Sequence, residues 1–299
     1  MVGMGRDLVE VSEAARRVFE RADAALGEPL AKLCFEGPME ELTLTTNTQP
    51  ALVAVSLALV AALRERVPDL APPRFAAGHS LGEYSALAAA GALELEDGVR
   101  VCRLRGAAMQ AAVPHGEGAM AAVMGLDAAV VGEICVQEAR EEIVSLANYN
   151  APGQVVIAGH AAAVARVSAV VAKRQGKAIP LKVSAPFHCA LMRPARERLA
   201  PELDRIEVRP FAFPVIANVD AEPNSDPTRV KDLLLRQIDG AVLWTTIFER
   251  MAAEGVTHAL EIGPGKVLAG LGKRIAKSIK VASVSDVAGI DAVGSFLEA

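Results

Sequence analysis

Apolar residues fall into helical register almost from the start. Leu8, Val11, Ala15, Val18, Phe19, Ala22 and Leu26 share one face of a segment that Gly27 closes, which predicts an amphipathic helix over 6–26. Thr48-Gln49-Pro50 puts a capping residue and an early proline ahead of residues 51–67, nearly all apolar, which predicts a buried helix ended by Pro68. Pro72-Pro73 turns the chain into a short apolar run at Phe75-Ala76-Ala77, read as a strand, and an Ala/Leu-rich helix follows from Tyr84 to Ala90. Glu96-Asp97 opens another helix, with Val99, Cys102, Leu104 and Ala108 facing inward and Arg100, Arg103 and Arg105 carrying charge.

The texture changes at Gly116. Strands at 119–124 and 143–148 flank a helix at 127–139. After the turn Asn150-Ala151-Pro152-Gly153, strands at 154–158 and 178–183 flank a helix at 161–175. The order β-α-β-β-α-β predicts a ferredoxin-like subdomain over 116–186, inserted into a larger unit made of 1–115 and 187–299. That larger unit continues with a strand at 213–219, helices at 227–238 and 242–254, and strands at 259–262 and 281–284. Strands alternating with helices predict an α/β fold, with a hydrolase-like core of mostly parallel sheet covered by helices on both faces.

Composition narrows the partners. The chain has 299 residues, 52% hydrophobic, and a net charge of -5, so it lacks the concentrated positive charge of a nucleic-acid binder. The longest strongly apolar run, 51–63, is short for a bilayer crossing and carries Ser56, and charged residues arrive too early for a secretory leader. The expectation is a cytoplasmic protein without a membrane partner. Cys34, Cys102, Cys135 and Cys189 lack metal-ligand spacing and sit among apolar neighbours, as core thiols do, and no metal site is expected.

The chemistry centres on Gly78-His79-Ser80-Leu81-Gly82, between the Phe75 strand and the Ala/Leu-rich helix. Strand, sharp turn and helix around Gly-x-Ser-x-Gly make a turn that projects a serine nucleophile toward backbone N–H groups at a helix start. A serine needs a base. Five histidines are available, and His79, His115, His160 and His258 stay open as candidates; His188 stands apart because it follows a strand where the inserted unit returns to the main one.

Five segments together carry a resemblance over nearly the whole chain: the one starting at Gly78 and running through Glu83-Tyr84-Ser85-Ala86-Leu87, Met109-Gln110-Ala111-Ala112-Val113-Pro114, Asn148-Tyr149-Asn150-Ala151-Pro152-Gly153-Gln154, Phe187-His188-Cys189-Ala190-Leu191-Met192, and Glu261-Ile262-Gly263-Pro264-Gly265-Lys266-Val267-Leu268. In this order they resemble the malonyl-CoA:acyl carrier protein transacylases of the acyl transferase family. The resemblance implies transfer of malonyl from malonyl-CoA to the phosphopantetheine thiol of an acyl carrier protein through an ester on Ser80, with His188 as base and no bound cofactor. It implies that a backbone carbonyl at Gln237 orients His188, although Gln237 also reads as an ordinary exposed helix-end residue. It places the malonate carboxylate on Arg105, where the planar fork of a guanidinium suits it. Without the resemblance Arg105 reads as one of three solvated helix arginines. His79, Asn150 and Phe187 are implied around the acyl group, Phe187 crowding a methyl branch on the α-carbon, and Leu81 N–H is implied in the oxyanion hole. Basic residues at Lys266, Lys273, Arg274, Lys277 and Lys280, or at Lys173, Arg174, Lys177 and Lys182, are candidate docking sites for an acidic carrier, and read equally as solvated faces.

Family members usually begin with a short strand and a Gly-Gln-Gly-Ser-Gln loop whose glutamine supplies the second oxyanion donor, and Met1-Val2-Gly3-Met4 matches sequence just after that loop. Loss of one such donor typically costs on the order of 10²- to 10³-fold in kcat. The expectation is therefore either a start recorded too late or a weakened relative. Two other classes stay in view: a serine esterase of the α/β-hydrolase type, which would not need Arg105, and an inactive relative that binds the carrier.

Overall fold

The computed structural model describes residues 1–298. Its centre is the helix Thr45–Arg66, which packs against the helices Glu13–Leu26 and Leu95–Ala111. By length and composition this helix could cross a membrane, but Val53, Ala54, Val55, Ala58 and Leu59 are fully enclosed and join the largest apolar cluster of the chain. It begins earlier than Thr48-Gln49-Pro50 predicts, with Pro50 inside it rather than at its first position. Gly106 explains the close crossing with Leu95–Ala111: a Cβ there would sit 2.6 Å from the Thr45 carbonyl oxygen. That crossing brings Arg105 beside Gln49.

The expected helix over 6–26 is two helices, Arg6–Val11 and Glu13–Leu26. Ser12 separates them, its hydroxyl accepting from Ala15 N–H at 3.0 Å as an N-cap. The helix Arg193–Arg205 lies outside the sequence-based expectation altogether. Its buried Ala195, Leu199 and Leu203 are spaced four apart, but seven of its thirteen residues are charged and Pro201 interrupts the pattern.

Among the described residues, nine strands form three sheets. β1 (Ala76–Ala77), β6 (Val215–Ile216) and β7 (Pro223–Asn224) make the first, with β1 and β6 parallel and β7 antiparallel to β6. β2 (Gly118–Met124), β3 (Val144–Ala151), β4 (Gln154–His160) and β5 (Lys177–Pro180) make the second, in the order β3-β4-β2-β5 with every neighbour antiparallel. β8 (His258–Ile262) and β9 (Lys280–Val284) make a parallel pair. In the larger unit, where one mostly parallel sheet was expected, parallel pairing thus occurs in two separate pieces; the antiparallel sheet falls within the 116–186 segment read as an insert. Of the expected 213–219 strand only Val215–Ile216 forms, and Asn218 beyond it bonds Ser80 N–H and the Gly78 carbonyl.

The four-stranded sheet carries the helices Ala128–Ala139 and Ala161–Lys173, and their apolar faces close a core of their own around Val123, Ile134, Ile157 and Val167. Two contacts fix this sheet to the rest. At its edge, Tyr149 N–H donates to the Val242 carbonyl and Val242 N–H to the Ala147 carbonyl, each at 2.9 Å. At its entry and exit, Gly118 meets Pro186 so closely that a Cβ on Gly118 would lie 2.4 Å from the proline ring. Pro186 is two residues before His188, so the return of the chain from this sheet sets the histidine in place.

Candidate active site

Ser80 sits between β1 and the helix Gly82–Ala89 at φ 54°, in the left-handed region that a non-glycine residue enters only at a cost of order 1–3 kcal/mol. Gly78 makes the turn possible, since a Cβ there would lie 2.0 Å from the Gly82 carbonyl group. Asn218 holds it in shape. Its Oδ1 accepts from Ser80 N–H at 2.7 Å, and its Nδ2 donates to the Gly78 carbonyl at 2.8 Å. With the Ser80 N–H so committed, the next N–H along is that of Leu81, the N-cap residue of the helix.

His188 also has a left-handed backbone, at φ 59°, and its Nε2 lies 2.7 Å from Ser80 Oγ. The other ring nitrogen fixes the tautomer: Nδ1–H donates to the Gln237 carbonyl at 2.9 Å, which leaves Nε2 as an acceptor for the serine hydroxyl. That carbonyl is available because Gln237 stands in the last turn of Pro227–Asp239, where helix carbonyls lack partners four residues on. The helix itself is set by Asp226, whose side chain caps Thr228 N–H, and by Pro227 in its first turn. Burial, and next the Arg105 charge, push the His188 pKa down to about 3, so the ring is neutral.

Arg105 is not solvated. It is 2% exposed, and its charge lies over the Tyr84 ring at 5.7 Å. Its Nη1 donates to Gln49 Oε1 at 2.6 Å; its Nη2 donates to Gln237 Oε1 at 2.9 Å and to Ser80 Oγ at 3.0 Å. All three acceptors are neutral oxygens. The exposed helix-end reading of Gln237 fails with it, because Gln237 is 0% exposed. Its Nε2 donates to the Ser80 carbonyl at 2.9 Å and to Glu83 Oε2 at 2.8 Å.

His79 and Asn150 meet each other rather than Ser80, with His79 Nε2 at 2.9 Å from Asn150 Oδ1, while the His79 ring rests 5.5 Å from that of Trp244. The pair ties the serine turn to the end of β3. Phe187 is half-buried beside His188 and packs on two apolar clusters. The other histidines lie elsewhere: His115 is exposed, His160 Nδ1 accepts from Ile143 N–H, and His258 bonds Thr257. All four cysteines are buried free thiols. Among the described residues, no group of three or more His, Cys, Asp or Glu could hold a metal ion.

Three site residues escaped the sequence reading: Gln49, Asn218 and Glu83. Burial raises the Glu83 pKa to about 7 from an ordinary 4.5, against hydrogen bonds from Gln237 and Asn218 that lower it. The unfolded chain releases this proton near 4.5 and the folded chain only near 7, so folding is favoured by the group at low pH and that contribution is lost as pH rises through this window. The span corresponds to about 3 kcal/mol. His188 acts in the opposite sense: its lowered pKa gives stability that is lost as pH falls from 6.5 toward 3. Glu83→Gln should therefore gain stability relative to wild type as pH is raised from 4.5 to 7. Urea midpoints of both proteins at several pH values measure that difference; a constant difference would refute it.

An α/β chain with a serine on a strained strand-to-helix turn, bonded to a neutral histidine and flanked by a buried arginine, has the build of a serine-nucleophile acyl-transfer protein. Comparison with known proteins is more specific. The sequence profile of the acyl transferase domain matches residues 2–297, and the chain belongs to that family. It is 46% identical over 297 residues to a malonyl CoA-acyl carrier protein transacylase of Haemophilus influenzae, covering 99% of this chain and 95% of that protein. The crystal structure of an acyl carrier protein S-malonyltransferase from Vibrio cholerae superposes with a TM-score of 0.95 at 44% identity, covering 98% of this chain and 95% of that one. A malonyl-transacylase in complex with its type II PKS acyl carrier protein also gives 0.95, at 41% identity, with 100% and 96% covered.

Proposed function

We propose that this chain transfers a malonyl group from malonyl-CoA to the phosphopantetheine thiol of an acyl carrier protein, through a malonyl ester on Ser80. The observation that carries this reading is Arg105: a buried cation whose hydrogen bonds go only to neutral oxygens, with one hand on the serine hydroxyl. A buried charge with no carboxylate in direct contact is costly, and a substrate carboxylate supplies one. An ester hydrolase has no use for it.

In the first half-reaction Ser80 Oγ attacks the thioester carbonyl while its proton passes to His188 Nε2. The oxyanion forms against Leu81 N–H, the C–S bond breaks, and the coenzyme A sulfur leaves with the proton from His188. Nδ1–H stays on the Gln237 carbonyl throughout, where the negative end of the helix also favours the transient imidazolium. The second half-reaction reverses these steps with the carrier's thiol as nucleophile. Each step is a proton transfer or an acyl exchange among these groups, so we assign no resident cofactor or metal. His79, Asn150 and Phe187 form the wall of the acyl pocket, with Phe187 leaving little room for a methyl branch.

We read the chain as a large α/β unit, 1–115 with 187–299, in a hydrolase-like arrangement, and a ferredoxin-like unit inserted at 116–186. The reaction site lies at their junction. The reading places the protein in the cytoplasm, supplying fatty-acid or polyketide synthesis. Of the candidate docking residues, Arg274 already reaches across to Gln154 and the Pro152 carbonyl, so it bridges the two units.

The test is direct. After mixing with malonyl-CoA, intact mass should show one added malonyl group, located on Ser80 by peptide mapping and discharged by a carrier bearing phosphopantetheine. Acylation by simple esters but not by malonyl-CoA would replace this reading with an esterase; absence of any acyl-enzyme would replace it with a binding role.

A further inference from the structure

Glu83 touches none of the reacting atoms, yet it is 2% exposed and joins the groups that do. Its Oε2 accepts two hydrogen bonds, from Gln237 Nε2 at 2.8 Å and from Asn218 N–H at 3.0 Å. Through Gln237 it reaches the acceptor of His188 Nδ1–H and the acceptor of Arg105 Nη2; through Asn218 it reaches the two groups that hold the Ser80 turn. We propose that Glu83 is a positioning residue for acyl transfer, setting Gln237 and Asn218 so that base, arginine and nucleophile keep one mutual geometry. The proposal rests on the Ser80 acyl-transfer reading for its kinetic consequences, though not for its structural one.

The Gln237 amide is the pivot of this network. An amide group is nearly symmetrical in shape, so its partners decide which end is oxygen. Here the NH₂ end faces two acceptors, the Ser80 carbonyl and Glu83 Oε2, while the oxygen faces a donor, Arg105 Nη2. Turned over, the amide would set oxygen against two oxygens and NH₂ against a guanidinium. Glu83 supplies one of the two acceptors that hold it the right way round. Without that acceptor Arg105 loses a fixed partner, and the helix end that carries the Gln237 carbonyl loses its tie to the serine turn.

Both bonds fall on one oxygen. When Glu83 takes up a proton, the other oxygen carries it, and Oε2 accepts from Gln237 and Asn218 in either state. The charged groups that act on it electrostatically are Arg105, from Leu95–Ala111, and Asp220, from the turn after β6; they oppose one another. The positioning is therefore a matter of hydrogen bonds rather than of charge, which makes glutamine the informative replacement. Its amide oxygen can take the place of Oε2.

Three variants, with circular dichroism on each, carry the test. Glu83→Ala should lower the single-turnover rate of Ser80 malonylation on the order of 10²-fold, as small misplacements at reacting centres do, and should reduce the preference for malonyl over acetyl thioester. Glu83→Gln should keep both within about tenfold of wild type. Glu83→Asp, which withdraws the carboxyl by one methylene, should behave like alanine and carries the test if Glu83→Ala does not fold. The His188 Nδ1–H proton resonance, assigned by its loss in His188→Ala, should persist in Glu83→Gln and shift or broaden in the other two. A folded Glu83→Ala or Glu83→Asp with wild-type rate, selectivity and resonance would overturn the proposal, as would a Glu83→Gln as impaired as alanine. If wild type itself takes no malonyl on Ser80, the acyl-transfer reading fails, and the resonance alone decides for or against Glu83.

Discussion

Ser80→Ala and His188→Ala are each expected to lower malonyl transfer on the order of 10⁶-fold, and the double variant to be no worse than either alone. The reason is that the two side chains act as one device. Ser80 Oγ and His188 Nε2 are 2.7 Å apart, and neither does the chemistry without the other. A serine hydroxyl without a base is a weak nucleophile, and a base without the hydroxyl has no proton to take. Single-turnover transfer from labelled malonyl-CoA measures the losses, and intact mass separates them further: Ser80→Ala should show no acyl-enzyme at any time. The pH profile gives an independent check. Because the His188 pKa lies near 3 in the free protein, the second-order acylation rate constant, measured at limiting malonyl-CoA, should show no break at the imidazole value of 6.5. A Ser80→Ala variant within tenfold of wild type would remove Ser80 from the reaction, and a break near 6.5 that His188→Ala abolishes would mean the ring titrates as an ordinary surface histidine.

Half of that device was legible in the sequence because its constraints are local. Gly78 is needed because it is pressed against the Gly82 backbone within the same five residues, so the motif reports its own geometry. His188 comes from 108 residues further on, and position at a chain junction could favour it but not select it. Gln237 and Arg105 became visible only through resemblance. Each sits on a helix where an isolated polar residue looks solvated, and what buries it is a crossing with another part of the chain. Gly106, which lets Leu95–Ala111 approach Thr45, is such a crossing. Gln49 and Glu83 were missed for the same reason, and Asn218 because it reads as part of the 213–219 strand. Glu83 in particular stands in the first turn of its helix, where an acid ordinarily complements the dipole at the surface. In the fold, the α/β alternation was readable from periodicity over six or more residues. The two-residue strands Ala76–Ala77 and Val215–Ile216 are too short to carry a period, so the pattern predicted a mostly parallel sheet for the larger unit where the chain builds short pieces.

Arg105→Ala is expected to cost the malonyl reaction on the order of 10²- to 10³-fold, the usual loss when one partner of a buried charge pair is removed, while the acetyl reaction stays within about tenfold. The split follows from what Arg105 does before substrate arrives. In the free protein its Nη2 donates to Ser80 Oγ, holding electron density back from the nucleophile, and its charge is the second cause, after burial, of the low basicity of His188. On the proposed reading, a malonyl carboxylate on the guanidinium compensates that charge, which restores basicity to His188 as the thioester carbonyl comes into place. An acetyl thioester brings no compensating charge and meets a weaker base. Selectivity should therefore appear in the acylation rate constant as well as in binding, and removing Arg105 should erase both together. Gln49→Leu offers the contrast: it strips one neutral acceptor from Nη1 but leaves the charge, so it should weaken malonyl binding without raising the acetyl rate. Single-turnover acylation of the three proteins by malonyl-CoA and acetyl-CoA, over a range of concentrations, gives rate constant and affinity separately. Equal losses for both thioesters in Arg105→Ala would mean that the arginine only holds Ser80 in place and that the carboxylate is recognised elsewhere.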